Sequence, residues 1–322
     1  MAVQDPHPRS MRSEELLSEQ VLLDEDLLRH VLVDDGPYAH LRRVLTVDST
    51  NAELARSAAD AGFQRQWPHL SILTAEQQTG GRGRLARAWS SPVGHSLSTS
   101  IVLRPVVSTD LYAWLSLLAG VALVEVLREE HGVAAQLKWP NDVHIEGRKI
   151  SGILASIAGD AVVLGIGINV LQEAKGLPTA QSTSVLVERE RAGHAVPSPG
   201  TSEAATLRTQ VLSSVLLRFA ELLRQLEAAG PAAHDLPRTL RDSVTAAMDT
   251  LGSEVRVELP DGTAVRGRAV GLSGQGAVIV EVSHWRGATE EGDEPAWAPT
   301  TPERRTFSAG DVTHLRPLTR RP

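Results

Sequence analysis

Glu76-Gln-Gln-Thr-Gly-Gly-Arg-Gly-Arg-Leu-Ala-Arg-Ala-Trp89 alternates residues that free the backbone with residues that carry full positive charge. Gly80, Gly81 and Gly83 permit positive φ and close backbone approach. Arg82, Arg84 and Arg87 add planar guanidinium forks suited to phosphate or carboxylate. A flexible cationic loop of this kind is built to close over an anion. It is not the common phosphate loop, because no Gly-Lys-Ser/Thr follows, and the G-x-G-x-x-G spacing of a dinucleotide fingerprint fails. Taken alone, a solvated basic loop accounts for it equally well, so the neighbouring segments decide.

Working outward, residues 71–75 read as a strand that runs into this loop. Beyond Trp89, Leu97, Thr99, Ile101 and Leu103 alternate as a second strand, ended by Pro105. Upstream, Asp48-Ser-Thr-Asn-Ala-Glu53 opens a short helix through Leu54 and Ala58 to Gly62, with Thr50 and Glu53 as a capping box. Ahead of Arg43, Leu22, Leu23, Leu27, Leu28, Val31 and Leu32 predict one amphipathic helix packed on the main body. Ser108 or Thr109 caps a long apolar helix over 111–130, stopped by Gly132 and buried by its composition. Strands follow over 136–139, in a hairpin turning near Glu146-Gly147, and over 161–170. Residues 172–202, rich in Pro, Gly, Ser and Thr, read as a loop or insertion, and 204–229 as an amphipathic helix ended by Gly230-Pro231. From Thr250 the pattern changes to short strands: Val255, Val257 and Leu259, a turn at Asp261-Gly262, then 265–270 and 277–282, with 283–303 expected as a mobile polar loop. The fold class is α+β: a helical acidic extension (1–42), a mixed-sheet catalytic domain (43–249) and a small β-barrel (250–318).

Composition bounds the function. The 322 residues are 42% hydrophobic and 22% charged, an ordinary globular balance, and long enough for two domains. A net charge of -7 and a pI near 5.9 argue against nucleic acid as main partner and make the loop arginines a local positive site. With no cysteine there is no disulfide framework, thiol catalysis or cysteine-held metal. No apolar signal core opens the chain and no apolar run is expected to span a membrane, so the expected location is cytoplasmic.

Three segments accompany the loop. Ser49-Thr-Asn51 reads as a helix N-cap, and a helix start also offers free N–H groups and short polar side chains to a ligand. Lys138-Trp-Pro-Asn-Asp142 and Gly147-Arg-Lys-Ile-Ser-Gly152 read plainly as a strand end and turn charges. If they form a hairpin, Lys138, Asp142 and Lys149 converge, with Asp142 placed to orient or deprotonate an amine and Lys149 to hold developing negative charge. In Leu164-Gly-Ile-Gly-Ile-Asn169 the alternating glycines mark close approach by a ligand or a packed helix. Asn169 is either a hydrogen-bonding reader of an amide or purine edge or a turn former.

In this order, Ser49-Thr-Asn51, Glu76 to Arg84 with Trp89, Lys138-Trp-Pro-Asn-Asp142, Arg148-Lys149 and Gly165-Ile-Gly-Ile-Asn169 resemble biotin protein ligase, from about Arg43 to Arg316. The resemblance implies the biotin/lipoate ligase fold with a C-terminal SH3-like barrel. It implies a two-step reaction: biotin and ATP with Mg²⁺ give biotinyl-5′-adenylate and pyrophosphate, then a lysine of a biotin carboxyl carrier domain of an acyl-CoA carboxylase displaces AMP. By position it implies that Ser49, Thr50, Asn51 and Gln78 contact biotin. Arg82, Gly83 and Arg84 close on carboxylate and phosphate. Trp89 lines the adenine side, Asn169 contacts the nucleotide, and Lys149 contacts carboxylate and activated phosphate. Gly152 is counted among the binding positions, and Asp142 is assigned to the incoming lysine, so Arg84, Lys149 and Asp142 form the catalytic set. No protein-held metal is expected. Ala86 stands where the family loop commonly has glycine. Some family members carry a DNA-binding helix-turn-helix; the region before Arg43 is read as too short and acidic for one, so a monofunctional enzyme without nucleic-acid or membrane partners, monomeric or weakly dimeric, is expected. Lipoate–protein ligase and a non-catalytic biotin sensor are the alternatives.

Overall fold

Large apolar residues spaced two apart along several segments, and continuous along one, dictate a sheet covered by a buried helix. A computed structural model describes residues 22–89, 92–288, 295–308 and 314–317. Asp24 caps helix α1 (Glu25–Arg29), which runs on as a π-helical turn, His30–Asp34. The single helix expected here is thus two short pieces; Leu23, Leu28 and Leu32 enter the main core while Leu27 stays exposed. Strand β1 (His40–Val47) follows, so the expected boundary at 42/43 falls inside a strand.

Helix α2 (Thr50–Ser57) is capped by Ser49, whose hydroxyl accepts the Ala52 N–H at 3.4 Å. The capping box expected from Thr50 and Glu53 does not form. Thr50 lies one position inside the helix, bonded to Gln78, and Glu53 pairs with Arg56 at 2.6 Å. Next come α3 (Phe63–Gln66), β2 (Ser71–Gln78), β3 (Gly81–Arg82), β4 (Ala88–Trp89) and β5 (Ser96–Leu103). A 3-10 turn capped by Ser108 leads into α4 (Tyr112–Glu129). Together, Thr109–Glu129 has 21 residues and a mean hydropathy of 1.7, which is long and apolar enough to cross a membrane, against the expectation from sequence. In the fold 72% of that window is buried.

Strands β6 (Gln136–Lys138), β7 (Asp142–Ile145), β8 (Arg148–Ala158) and β9 (Ala161–Asn169) complete a seven-stranded sheet ordered β1-β2-β5-β9-β8-β7-β6. Only β1 and β2 run parallel within it. The expected loop over 172–202 contains a helix, α5 (Val185–Arg191), capped by the Ser184 hydroxyl. Helices α6 (Ser202–Glu227) and α7 (Arg238–Ala247) pack on α4.

The period-2 alternation of strands sorts the two faces of this sheet. Ile72, Ile101, Leu164, Ile166 and Ile168 join the core under α4 and α6, while Leu73, Val102 and Val163 pack with Leu54 of α2, Phe63 and Trp67. Each fully buried side chain of this size stabilises the fold by roughly 1.5–3 kcal/mol.

The C-terminal sheet comprises β10 (Glu254–Glu258), β11 (Ala264–Leu272), β12 (Val278–Arg286), β13 (Ala298–Phe307) and β14 (His314–Pro317), all antiparallel in the order β13-β12-β11-β10-β14, and forms the small barrel. The loop expected over 283–303 is shorter, since β12 reaches Arg286 and β13 starts at Ala298. Two indoles hold the barrel: Trp114 Nε1 donates to the Gly274 carbonyl at 2.7 Å and Trp139 Nε1 to that of Gly276 at 3.0 Å.

Candidate active site

Every position that the sequence assigned to ligand contact lines one cavity of about 460 Å³ on the α2 face of the large sheet. Alternation puts Gly165 and Gly167 of β9 on this face. A Cβ on Gly165 would collide with the Asn51 amide, and one on Gly167 would lie 2.6 Å from the Trp89 ring. The close approach predicted for these glycines is therefore made by α2 and by Trp89.

The start of α2 forms one wall. Ser49 and Thr50 are buried. Gln78 Oε1 accepts both the Thr50 N–H (2.8 Å) and the Thr50 hydroxyl (3.1 Å). That leaves the Gln78 amide nitrogen, beside Gly81, as the donor offered to the cavity. Asn51 Nδ2 donates to the Leu154 carbonyl at 3.0 Å, and Ser100 Oγ lies 2.6 Å from Asn51 Oδ1 and 2.7 Å from Thr50 Oγ1. Asp48 accepts the Ser49 N–H at 2.7 Å, and the Arg56 guanidinium holds its carboxyl down at about 2.

The glycine–arginine loop crosses the mouth as a two-rung ribbon, Gly81 opposite Trp89 and Arg82 opposite Ala88, closed by the Gly83 N–H on the Arg87 carbonyl at 2.7 Å. Arg82 is exposed and Arg84 half-buried. Burial pulls Arg84 below the ordinary arginine value, Asp142 opposes that and Arg87 adds to it. In the 3-10 turn Arg84–Ala86 the left-handed residue is Leu85 (φ 55°), next to the Ala86 that replaces the family glycine. Such a conformation costs a non-glycine residue roughly 1–2 kcal/mol.

The opposite wall is the hairpin. Lys138 pairs with Asp142 across β6–β7, and Asp142 with Gly152 across β7–β8. Glu146 and Gly147 turn the hairpin with φ of 48° and 79°. Lys149 Nζ then reaches Asp142 Oδ1 at 2.6 Å, lying so close over Gly152 that a Cβ there would be 3.0 Å from it. The convergence of Lys138, Asp142 and Lys149 expected of a hairpin is present, with Lys138 also lining the cavity. The cavity thus joins an anion-seeking loop and lysine to a polar cleft lined by the Gln78 amide.

Residues 45–172 match the biotin/lipoate A/B protein ligase family and residues 250–315 the biotin protein ligase C-terminal domain. The chain is 35% identical over 300 residues to the biotin–[acetyl-CoA-carboxylase] ligase of Mycobacterium tuberculosis, covering 91% of this chain and 96% of the relative. The chain belongs to the biotin protein ligase family. It is also 30% identical to the bifunctional ligase/repressor BirA of Bacillus subtilis, over 67% of this chain and 63% of that protein. In structure it is similar to the biotin protein ligase from Aquifex aeolicus in complex with biotin and ATP, with TM-score 0.63 and 28% identity over 87% of this chain and all of that one.

Within this ligase fold, Asn169 ends β9 with its amide bonded to the segment that follows. Its Nδ2 donates to the Thr183 carbonyl and its Oδ1 accepts from Gln172 Nε2, both at 3.0 Å. It lines the cavity while its amide braces the next loop. That loop brings Pro178, Thr179, Gln181 and Ser182 to the cavity, and sequence reasoning missed all four. Their only signal was the nearby Ser184-Val-Leu-Val-Glu188, which caps and starts α5. Ser100 was missed too, one polar residue in an alternating strand. Among the described residues no three His, Cys, Asp or Glu side chains converge as metal ligands, and the cavity's carboxylate, Asp142, is engaged by Lys149. These residues do not build a Mg²⁺ cage, and a cation held mainly by nucleotide phosphates and water fits such a site.

Proposed function

We propose that the chain activates biotin with ATP as biotinyl-5′-adenylate and transfers it to a lysine of a biotin carboxyl carrier domain of an acyl-CoA carboxylase. The observation that carries this reading is the placement of Arg84, Lys149 and Asp142 around one cavity whose other end is lined by Ser49, Thr50, Asn51 and Gln78. In the first step the biotin carboxylate attacks the α-phosphorus of ATP and pyrophosphate leaves. Two anions must meet, so Arg82, Arg84 and Lys149 offset their repulsion and hold the charge that develops. Gln78, with its oxygen committed to Thr50, presents N–H groups to the ring carbonyl of biotin, and Trp89 packs against the adenylate. The ribbon over the mouth excludes water from a mixed anhydride that would otherwise hydrolyse.

In the second step the acceptor amine attacks the acyl carbon, an amide forms, AMP leaves and the amine gives up a proton. Lys149 turns from Asp142 to the adenylate phosphate, which frees the Asp142 carboxylate to orient the incoming amine and take its proton. The acidic balance argues against nucleic acid as a main partner, and the absence of cysteine fits a reducing cytoplasm. The test is transfer of labelled biotin to an isolated carrier domain. One biotin per domain is expected, lost when the acceptor lysine is changed to arginine; labelling that ignores that change would refute site-specific transfer.

A further inference from the structure

Lys149 sits where β8 loses its neighbour. The β8–β9 ladder starts only at Ser151 opposite Ile168, and on the other side the β7–β8 register jumps over Ile150 between Ser151 and Lys149. Lys149 therefore has a backbone N–H and carbonyl that β9 does not reach. Residues 181–183 take that place: the Lys149 N–H donates to the Gln181 carbonyl at 2.7 Å, and the Lys149 carbonyl accepts the Thr183 N–H at 2.8 Å. The same loop supplies the cavity wall Pro178, Thr179, Gln181 and Ser182.

A buried carboxylate holds the loop there. Glu188 of α5, 7% exposed, accepts the Thr183 hydroxyl and, at 2.9 Å, Arg191. Its two oxygens also take Arg148 Nε and Nη2, each at 3.1 Å. Arg148 precedes Lys149 on β8, so strand alternation sends the two side chains to opposite faces. Lys149 reaches the cavity and Asp142, while Arg148 grips Glu188. A guanidinium forked on a carboxylate fixes angle as well as distance, which a lysine cannot do.

We propose that Arg148 is a positioning residue, which through Glu188 and Thr183 locks the 178–183 wall onto the backbone of Lys149 and so aims the Lys149 ammonium. This rests on the assignment of Lys149 to the adenylation step. Arg148 does not line the cavity; it sets where Lys149 stands.

The test replaces Arg148 with methionine, which keeps the stem, and with lysine, which keeps the charge but not the fork. Arg148→Met is expected to lower kcat for biotin-dependent pyrophosphate exchange about ten- to a hundredfold, as small misplacements of a reacting group do, with KM for biotin within about twofold. Arg148→Lys should fall between parent and Arg148→Met. Amide hydrogen exchange at Lys149 and Thr183 should quicken in both variants while the β5–β9 ladder keeps its parental rates. Parental kcat in Arg148→Met, or faster exchange across the whole sheet, would overturn the proposal. A parent protein without biotin-dependent exchange would remove the ligase reading instead, and the amide rates at Lys149 and Thr183 would still decide whether the clamp exists.

Discussion

Lys149 lies 2.6 Å from Asp142, facing the arginine loop across the cavity, and its side chain is 42% exposed. Lys149→Ala should therefore leave folding stability within about 0.5 kcal/mol of the parent. Adenylate formation, followed with labelled ATP, should fall by about 10²–10³ or more, as for other charge-stabilising donors. Gly167→Ala tests the floor: its Cβ would force the Trp89 ring aside, so biotin and ATP binding by calorimetry should weaken at least about tenfold while the fold persists. Asp48, at the entry to α2, makes a pH prediction. Its folded pKa, held near 2 by Arg56, lies below the ordinary aspartate value, so its stabilisation is present above about pH 4 and is lost as pH falls through about 2. Urea titrations should show a shallower acid limb for Asp48→Asn than for the parent. At this scale the sequence was highly legible where chemistry needs a fixed residue type, as in the glycines of β9, the loop arginines and the Asp142–Lys149 pair. It misled where two partners compete for one side chain: Thr50 has the makings of a cap, but Gln78 claims it.

Among the elements, the loop ribbon is the thinnest, with two rungs between Gly81 and Trp89. Few backbone bonds and a glycine-rich chain predict a segment that opens readily. Amide exchange across 79–88 should slow when biotin and ATP are added together, and unchanged exchange would remove its role as a lid. Strands with alternating apolar residues were readable from sequence because one face or both are buried. Helix α5 was not, since its seven residues sit in a segment whose average composition is that of a loop. Strand β13 was hidden for a related reason: as an edge strand it is almost wholly exposed and carries Pro299 and Pro302, so no alternation marks it.

Across the whole molecule, long-range contacts tie the segments to the site, and these were the least legible. Arg208 of α6 and Glu76 of β2, both fully buried, pair at 2.7 Å, and Glu76 also accepts the Leu23 N–H at 2.8 Å. One carboxylate thus joins the N-terminal segment, α6 and the strand that leads into the loop. Nothing near Glu76 in sequence announces a partner 132 residues away. Arg208→Met would leave that charge buried with the peripheral Arg43, at 3.5 Å, as its remaining ion-pair partner among the described residues, so a loss of about 3–5 kcal/mol in denaturant unfolding is expected. Trp139, in the Lys-Trp-Pro-Asn-Asp segment, likewise fastens the barrel next to Asp142 through Gly276 and the Thr250 hydroxyl at 3.0 Å. These ties make the cavity a property of the assembled fold, and its chemistry is tested most directly by exchange of labelled pyrophosphate into ATP, with biotin and lipoate in parallel. Exchange that depends on biotin and not on lipoate is the predicted result. Exchange with lipoate alone, or with neither acid, would contradict the assignment of this cavity to biotin activation.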